Sequence, residues 1–167
     1  LPALEKSLGY SVKLQKMSLI AVAKNRLGEV YRTLDNLPAA IRFQKEVLAD
    51  TTYQDAGECS FAYAGLGKSY YEQGDYKKAI DHAERALVLA EKARNRTLET
   101  VRATEVLSLS YVALKNYKKG YEYLQLNTAY NNKLIGNLNG KEINGLHLKQ
   151  ELSVNRELVR KNLLDKE

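Results

Sequence analysis

The sequence predicts an all-α fold in which antiparallel helix pairs stack into a superhelical solenoid, closed by a further C-terminal helix. Three observations carry this. Only two prolines and two phenylalanines occur in 167 residues, while Ala, Leu, Lys and Glu are frequent. The stretch 64–87, AGLGKSYYEQGDYKKAIDHAERAL, has the form of two helices folded back on each other. A leucine that heads the same pattern recurs at Leu27, Leu66 and Leu107, spaced by 39 and 41 residues.

Within 64–87, Leu66, Gly67 and Tyr70 share one helical face, and Ala79, Ala83, Ala86 and Leu87 share another. Gln73-Gly74-Asp75 between them supplies a helix-ending glycine and then a capping aspartate. Gly67, Ala79 and Ala86 let the backbones approach, and Leu66, Tyr70 and Tyr76 fill the seam. Such a pair cannot bury its own apolar face, so neighbours of the same kind are required.

Taken in order, residues 1–13 carry Leu4, Leu8 and Val12 at i, i+4, i+8. Ser7-Leu8 falls where Ala86-Leu87 falls, so this is expected to be the second helix of a pair whose first helix is missing. Together with the abrupt opening at Leu1, that reads as a fragment of a longer chain. The first full pair, about 17–52, sets Ile20, Ala23, Leu27, Val30 and Tyr31 against Ala40, Ile41, Val47 and Leu48, with Pro38 just inside the second helix. The central pair covers about 55–95, with Asn95-Arg96-Thr97 as a break. The third, about 97–132, ends in a tyrosine-rich helix bearing Tyr117, Tyr121, Tyr123 and Tyr130. The sequence thus divides into a solenoid, 1–135, and an amphipathic helix leading out of it, 136–167. Residues 136–140, GNLNG, are expected to interrupt the two. In the last helix Leu148, Leu152, Val159 and Leu163 form one stripe, suited to capping the last pair or to a coiled coil and a homodimer contact.

The pattern Leu27-Gly28-x-x-Tyr31, Leu66-Gly67-x-x-Tyr70 and Leu107-Ser108-x-x-Tyr111, each followed by a turn and spaced small residues, resembles the tetratricopeptide repeat family over roughly residues 1–132. The outer repeats depart from it: Ser108 replaces the first small glycine, Gly120 an alanine, and Asn127 the last small residue. The period is longer than the family's usual ~34 residues. The resemblance implies a solenoid whose first helices line a concave groove for an extended peptide or a partner helix. Carried over position by position, it points to Asn25, Arg26, Glu29 and Arg32 in the first full pair. In the central pair it points to Phe61, Lys68, Tyr71 and Glu72, and in the third to Arg102, Glu105 and Leu109. Some family members grip a chaperone tail through a terminal-carboxylate clamp. Asn25 and Glu29 stand where that clamp has lysine and asparagine, and the acidic Glu29 argues against such a ligand.

Other chemistry finds little support. The net charge of +6 comes from basic residues interleaved with acidic ones, as in Glu91, Lys92, Arg94, Arg96 and Glu99, which describes solvated helix faces rather than a nucleic-acid surface. No run approaches a membrane span. His82 and His147 lie on different segments without companion ligands, so no metal site or cofactor is expected. Cys59 is the only cysteine, which leaves the compartment open, and without a base partner it reads as a structural thiol. Gly67-Lys68-Ser69 mimics the end of a phosphate-binding loop, but Ala62 stands where the loop's first glycine belongs and the tripeptide lies inside a helix. The expectation is a non-catalytic module that binds protein or peptide.

The segment 116–134, NYKKGYEYLQLNTAYNNKL, followed by a polar break and a charged helix, is similar to the sensory tetratricopeptide domains of Bacteroidetes signalling proteins. That narrower resemblance implies the input domain of a histidine kinase, facing the periplasm if the kinase is membrane-bound. A stand-alone assembly scaffold and the ligand-binding part of a helix-turn-helix regulator remain the alternatives.

Overall fold

A computed structural model describes residues 1–50, 52–94 and 96–137. Seven α-helices and no strands make up these residues: α1 (Pro2–Lys13), α2 (Met17–Thr33), α3 (Leu37–Ala49), α4 (Ala56–Glu72), α5 (Tyr76–Ala90), α6 (Arg96–Ala113) and α7 (Tyr117–Asn137). The all-α helical repeat expected from the sequence is therefore what forms. The C-terminal helix, its stripe, His147 and the homodimer contact lie outside the described residues.

Each pair is closed by one backbone device used repeatedly. Asp35, Gly74 and Lys115 adopt the left-handed conformation, at φ +58°, +80° and +60°. The amide of the following residue then reaches back to the carbonyl five residues earlier: Asn36 to Tyr31, Asp75 to Tyr70 and Asn116 to Tyr111. The same three residues, Asn36, Asp75 and Asn116, start the next helix by accepting from the amides of Ala39, Lys78 and Lys119. One residue thus finishes one helix and opens the next, which fixes a tight reversal. The α1–α2 connection repeats the hydrogen bonds, with Gln15 at φ +51° and Lys16 N–H on the Ser11 carbonyl, but Lys16 provides no side-chain cap.

The core is built from small residues. Ala79, Ala83, Ala86 and Ala90 of α5 are fully buried, as are Leu27, Leu66 and Leu107 of the first helices. A Cβ at Gly67 would lie 3.1 Å from the Ala79 carbonyl oxygen and 3.0 Å from Val106, so this glycine marks where α4, α5 and α6 meet. The third pair solves the same packing problem differently. Ser108 donates to the Gly120 carbonyl at 2.9 Å, and a Cβ at Gly120 would meet Val112 Cγ2 at 2.6 Å. The glycine that breaks the alanine pattern is thus the room Val112 needs. Asn127, likewise out of pattern, donates from Nδ2 to the Val101 carbonyl at 2.7 Å and to Thr104 Oγ1 at 3.0 Å, and accepts from Asn131.

Helix α7 is longer than the sequence suggests. It continues past residue 132 and through Gly136 to Asn137, so the expected interruption does not begin at Gly136. Lys133, Leu134 and Ile135 favour helix, and a single glycine in the last turn costs only about 1 kcal/mol against alanine.

Candidate functional site

The first helices form the inner layer: α2 packs on α4 and α4 on α6, while α3, α5 and α7 make their contacts with the first helices. Closer approach within one layer bends the stack toward it, so the exposed face of α2, α4 and α6 is the concave one. At its centre lies Phe61, only 8% exposed, between two guanidinium groups. The Arg102 carbon is 4.2 Å from the ring centroid and the Arg26 carbon 5.2 Å, within cation–π range.

Around this aromatic, acidic and basic side chains alternate across neighbouring helices. Arg32 of α2 pairs with Glu72 of α4, and Lys68 of α4 pairs with Glu105 of α6 at 2.8 Å. Within helices, Arg26 pairs with Glu29 and Arg102 with Glu99, both at 3.1 Å. Glu99 is buried, and burial pushes its carboxyl above the ordinary range, against the opposing pull of Arg102. The face is charge-rich yet nearly balanced, which suits a segment of mixed charge better than a polyanion.

Of the residues expected to line the groove, Glu29, Arg32, Phe61, Lys68 and Arg102 border a single cavity of about 30 Å3. Arg26, Glu72 and Glu105 touch its members through the pairs described above. Leu109 is half-buried on α6 and does not border the cavity. Two others are engaged in packing, Asn25 buried and Tyr71 partly buried. Asn25 is 1% exposed and ties α2 to α4, donating from Nδ2 to the Glu58 carbonyl at 3.0 Å and its carboxylate at 2.7 Å. Tyr71 packs on the core against Tyr76, its ring centroid 5.5 Å away, and burial raises its phenol's pKa. Both sit on the flank of the first helix that meets the next element, which positional carry-over from a repeat pattern does not resolve.

Three residues that border the cavity were not anticipated: Gln44, from the second helix α3, and Ala64 and Gly65 of α4. A signal was available. Counted from the repeat leucine, Gln44 occupies the place of Ala83 and Leu124 in the other pairs, and Gly65 that of Arg26 and Val106.

Two titratable side chains outside this face, His82 and Cys59, sit in the packing. His82 lies against Tyr70 and Tyr63, with ring centroids 5.1 and 5.9 Å away, and burial lowers its pKa. The Cys59 thiol is buried and pushed upward, away from reactivity. Among the described residues no three potential ligands from His, Cys, Asp and Glu converge on a metal position, and no helix is long and apolar enough to cross a membrane.

No curated protein matches the chain. The family model described as tetratricopeptide repeat matches residues 19–92, from the first turn of α2 to just beyond α5. Coincident with two helix pairs closed by the same turn, this match supports a tetratricopeptide repeat family for the chain and, with it, a protein-interaction module.

Proposed function

We propose that the concave face of α2, α4 and α6 binds an extended peptide or partner segment of mixed charge, without catalysing a reaction on it. The observation that carries this reading is the convergence of Glu29, Arg32, Phe61, Lys68 and Arg102 on one cavity, with an aromatic ring held between two guanidinium groups. Buried aromatics and arginines are the side chains that most often dominate binding at protein interfaces. The inter-helix ion pairs Arg32–Glu72 and Lys68–Glu105 are half-exposed, so a ligand's own charges can exchange with them at small cost.

The test is selection of binders from a displayed library of random linear peptides on the immobilised chain. Selected peptides should lose affinity with Lys68→Glu, which sets two carboxylates against each other, and keep it with Arg42→Glu on the outer layer. The opposite result, or the absence of any binder, overturns the groove reading.

The similarity of residues 116–134 to sensory tetratricopeptide domains extends the proposal: the module serves as the input domain of a bacterial histidine kinase. A phosphoacceptor domain in the same reading frame would support that context. A frame that ends shortly after Glu167 would overturn it and leave an assembly scaffold.

A further inference from the structure

We propose that Gln44 is a main-chain reader: its amide hydrogen-bonds the backbone of an extended peptide at a position occupied by a small residue. This rests on the groove reading above and narrows it to a recognition residue and a sequence preference.

Gln44 belongs to the outer layer, yet its side chain crosses the inner one. It passes between Gly28 of α2 and Gly65 of α4. A Cβ at Gly28 would lie 3.0 Å from Gln44 Cγ, and one at Gly65 would lie 2.1 Å from Nε2 and 2.7 Å from Cδ. Two glycines on successive first helices thus clear a passage for one amide. The side chain is 1% exposed and ends at the wall of the concave cavity. Its Oε1 is buried and accepts no hydrogen bond from any group among the described residues.

A buried, unpaired amide oxygen is costly, and an apolar residue at this place would be the stable choice. The chain makes that choice twice elsewhere: Ala83 and Leu124 hold the equivalent positions and are buried. Gly65 is equally out of pattern, since Arg26 and Val106 hold its equivalent positions. Two departures from the repeat therefore meet at one point and together deliver an unsatisfied acceptor to the groove floor. Gly65 is explained by the room that Gln44 takes, and Gln44 itself brings a polar end where the other pairs bury an apolar one.

The chemistry of the ligand follows. An amide offers one acceptor and two donors in a plane, which matches the N–H and C=O of an extended main chain. The recess of about 30 Å3 favours a small ligand side chain at this point, where the main chain can come close to the amide. Flanking ligand residues then meet the Arg32–Glu72 and Lys68–Glu105 pairs, whose Arg32 and Lys68 line the same cavity.

The experiment takes the dominant library-selected peptide and measures its Kd by fluorescence anisotropy. Gln44→Met keeps the length and shape of the side chain and removes the amide. It should weaken binding about tenfold without lowering thermal stability, because the partner-less polar group is gone. Gly65→Ala displaces the same amide while leaving its chemistry intact; only the far end of a flexible side chain must move, so this variant keeps its fold. It should weaken binding similarly. Replacing the small residue of the peptide by leucine should do the same. Equal affinity of wild type and both variants, with Lys68→Glu still abolishing binding, overturns the role of Gln44 and leaves the groove reading standing. Affinity that is insensitive to Lys68→Glu as well overturns both. A selected consensus with no small position also overturns the inference.

Discussion

Replacing Gly120 by alanine restores the residue that occupies this place in the central pair, Ala79, and is expected to destabilise the protein. The new Cβ would stand 2.6 Å from Val112 Cγ2, 3.3 Å from the Val112 amide nitrogen and 3.4 Å from the Ser108 carbonyl oxygen. Valine is stiff at χ1 in a helix, so it yields only by leaving its rotamer or by moving α6 away from α7. Overpacking of this kind costs about 2–3 kcal/mol. Alanine returns about 1 kcal/mol of helix propensity. The net loss is about 1–2 kcal/mol, a fall in Tm of roughly 3–6 °C for a chain of this size. Thermal melts followed by circular dichroism at the helix band read it directly. Gly9→Ala is the control, because a Cβ there meets nothing within 4 Å and the substitution should stabilise by about 0.5–1 kcal/mol. The double variant Gly120→Ala/Val112→Ala should be more stable than the sum of its parts by about 1 kcal/mol or more, since the clash exists only when both side chains are present. A Tm for Gly120→Ala that rises as it does for Gly9→Ala would refute the reasoning.

Asn127→Ala removes the link from α7 to the Val101 carbonyl and Thr104, and orphans Asn131, in a fully buried setting. Chemical denaturation should show a loss of about 2–3 kcal/mol; a loss below about 0.5 kcal/mol would mean that the network is not stabilising. Glu99 carries a carboxyl raised by burial above its ordinary 4.5, so the folded state holds its proton more tightly than the unfolded chain. Its contribution therefore becomes less favourable as pH rises through the folded value. Glu99→Gln should raise the denaturation midpoint at pH 7, the gain vanishing below pH 4.5, and a gain independent of pH would contradict this. Asp75 behaves oppositely: its hydrogen bonds from the Lys78 side chain and amide hold its carboxyl below the ordinary 3.8. The stability it supplies is complete at neutral pH and is lost as pH falls below 3.8, so Asp75→Asn should flatten the acid limb of the Tm profile while retaining the cap.

The sequence by itself determined the helices and the places where they reverse. Leucine, glycine and tyrosine at fixed offsets mark the first helices, and Gly74-Asp75 and Asp35-Asn36 mark the turns, because helical periodicity and end-capping are local and act over four or five residues. The groove positions came instead from the family resemblance, carried over helix by helix, and five of them, Glu29, Arg32, Phe61, Lys68 and Arg102, border one cavity. Tertiary structure decided the rest. Gly120 looked like a defect until Val112 was found in its space, and Asn127 until the Val101 carbonyl was found opposite. Asn25 and Tyr71 share the helical register of groove residues but are taken up by Glu58 and by the core, because a flank is inside or outside only relative to the next helix. Gln44 is the extreme case. Its role depends on two glycines 37 residues apart, Gly28 and Gly65, standing on either side of it. No local periodicity encodes that distance; only the packing of one helix pair on the next brings the three together.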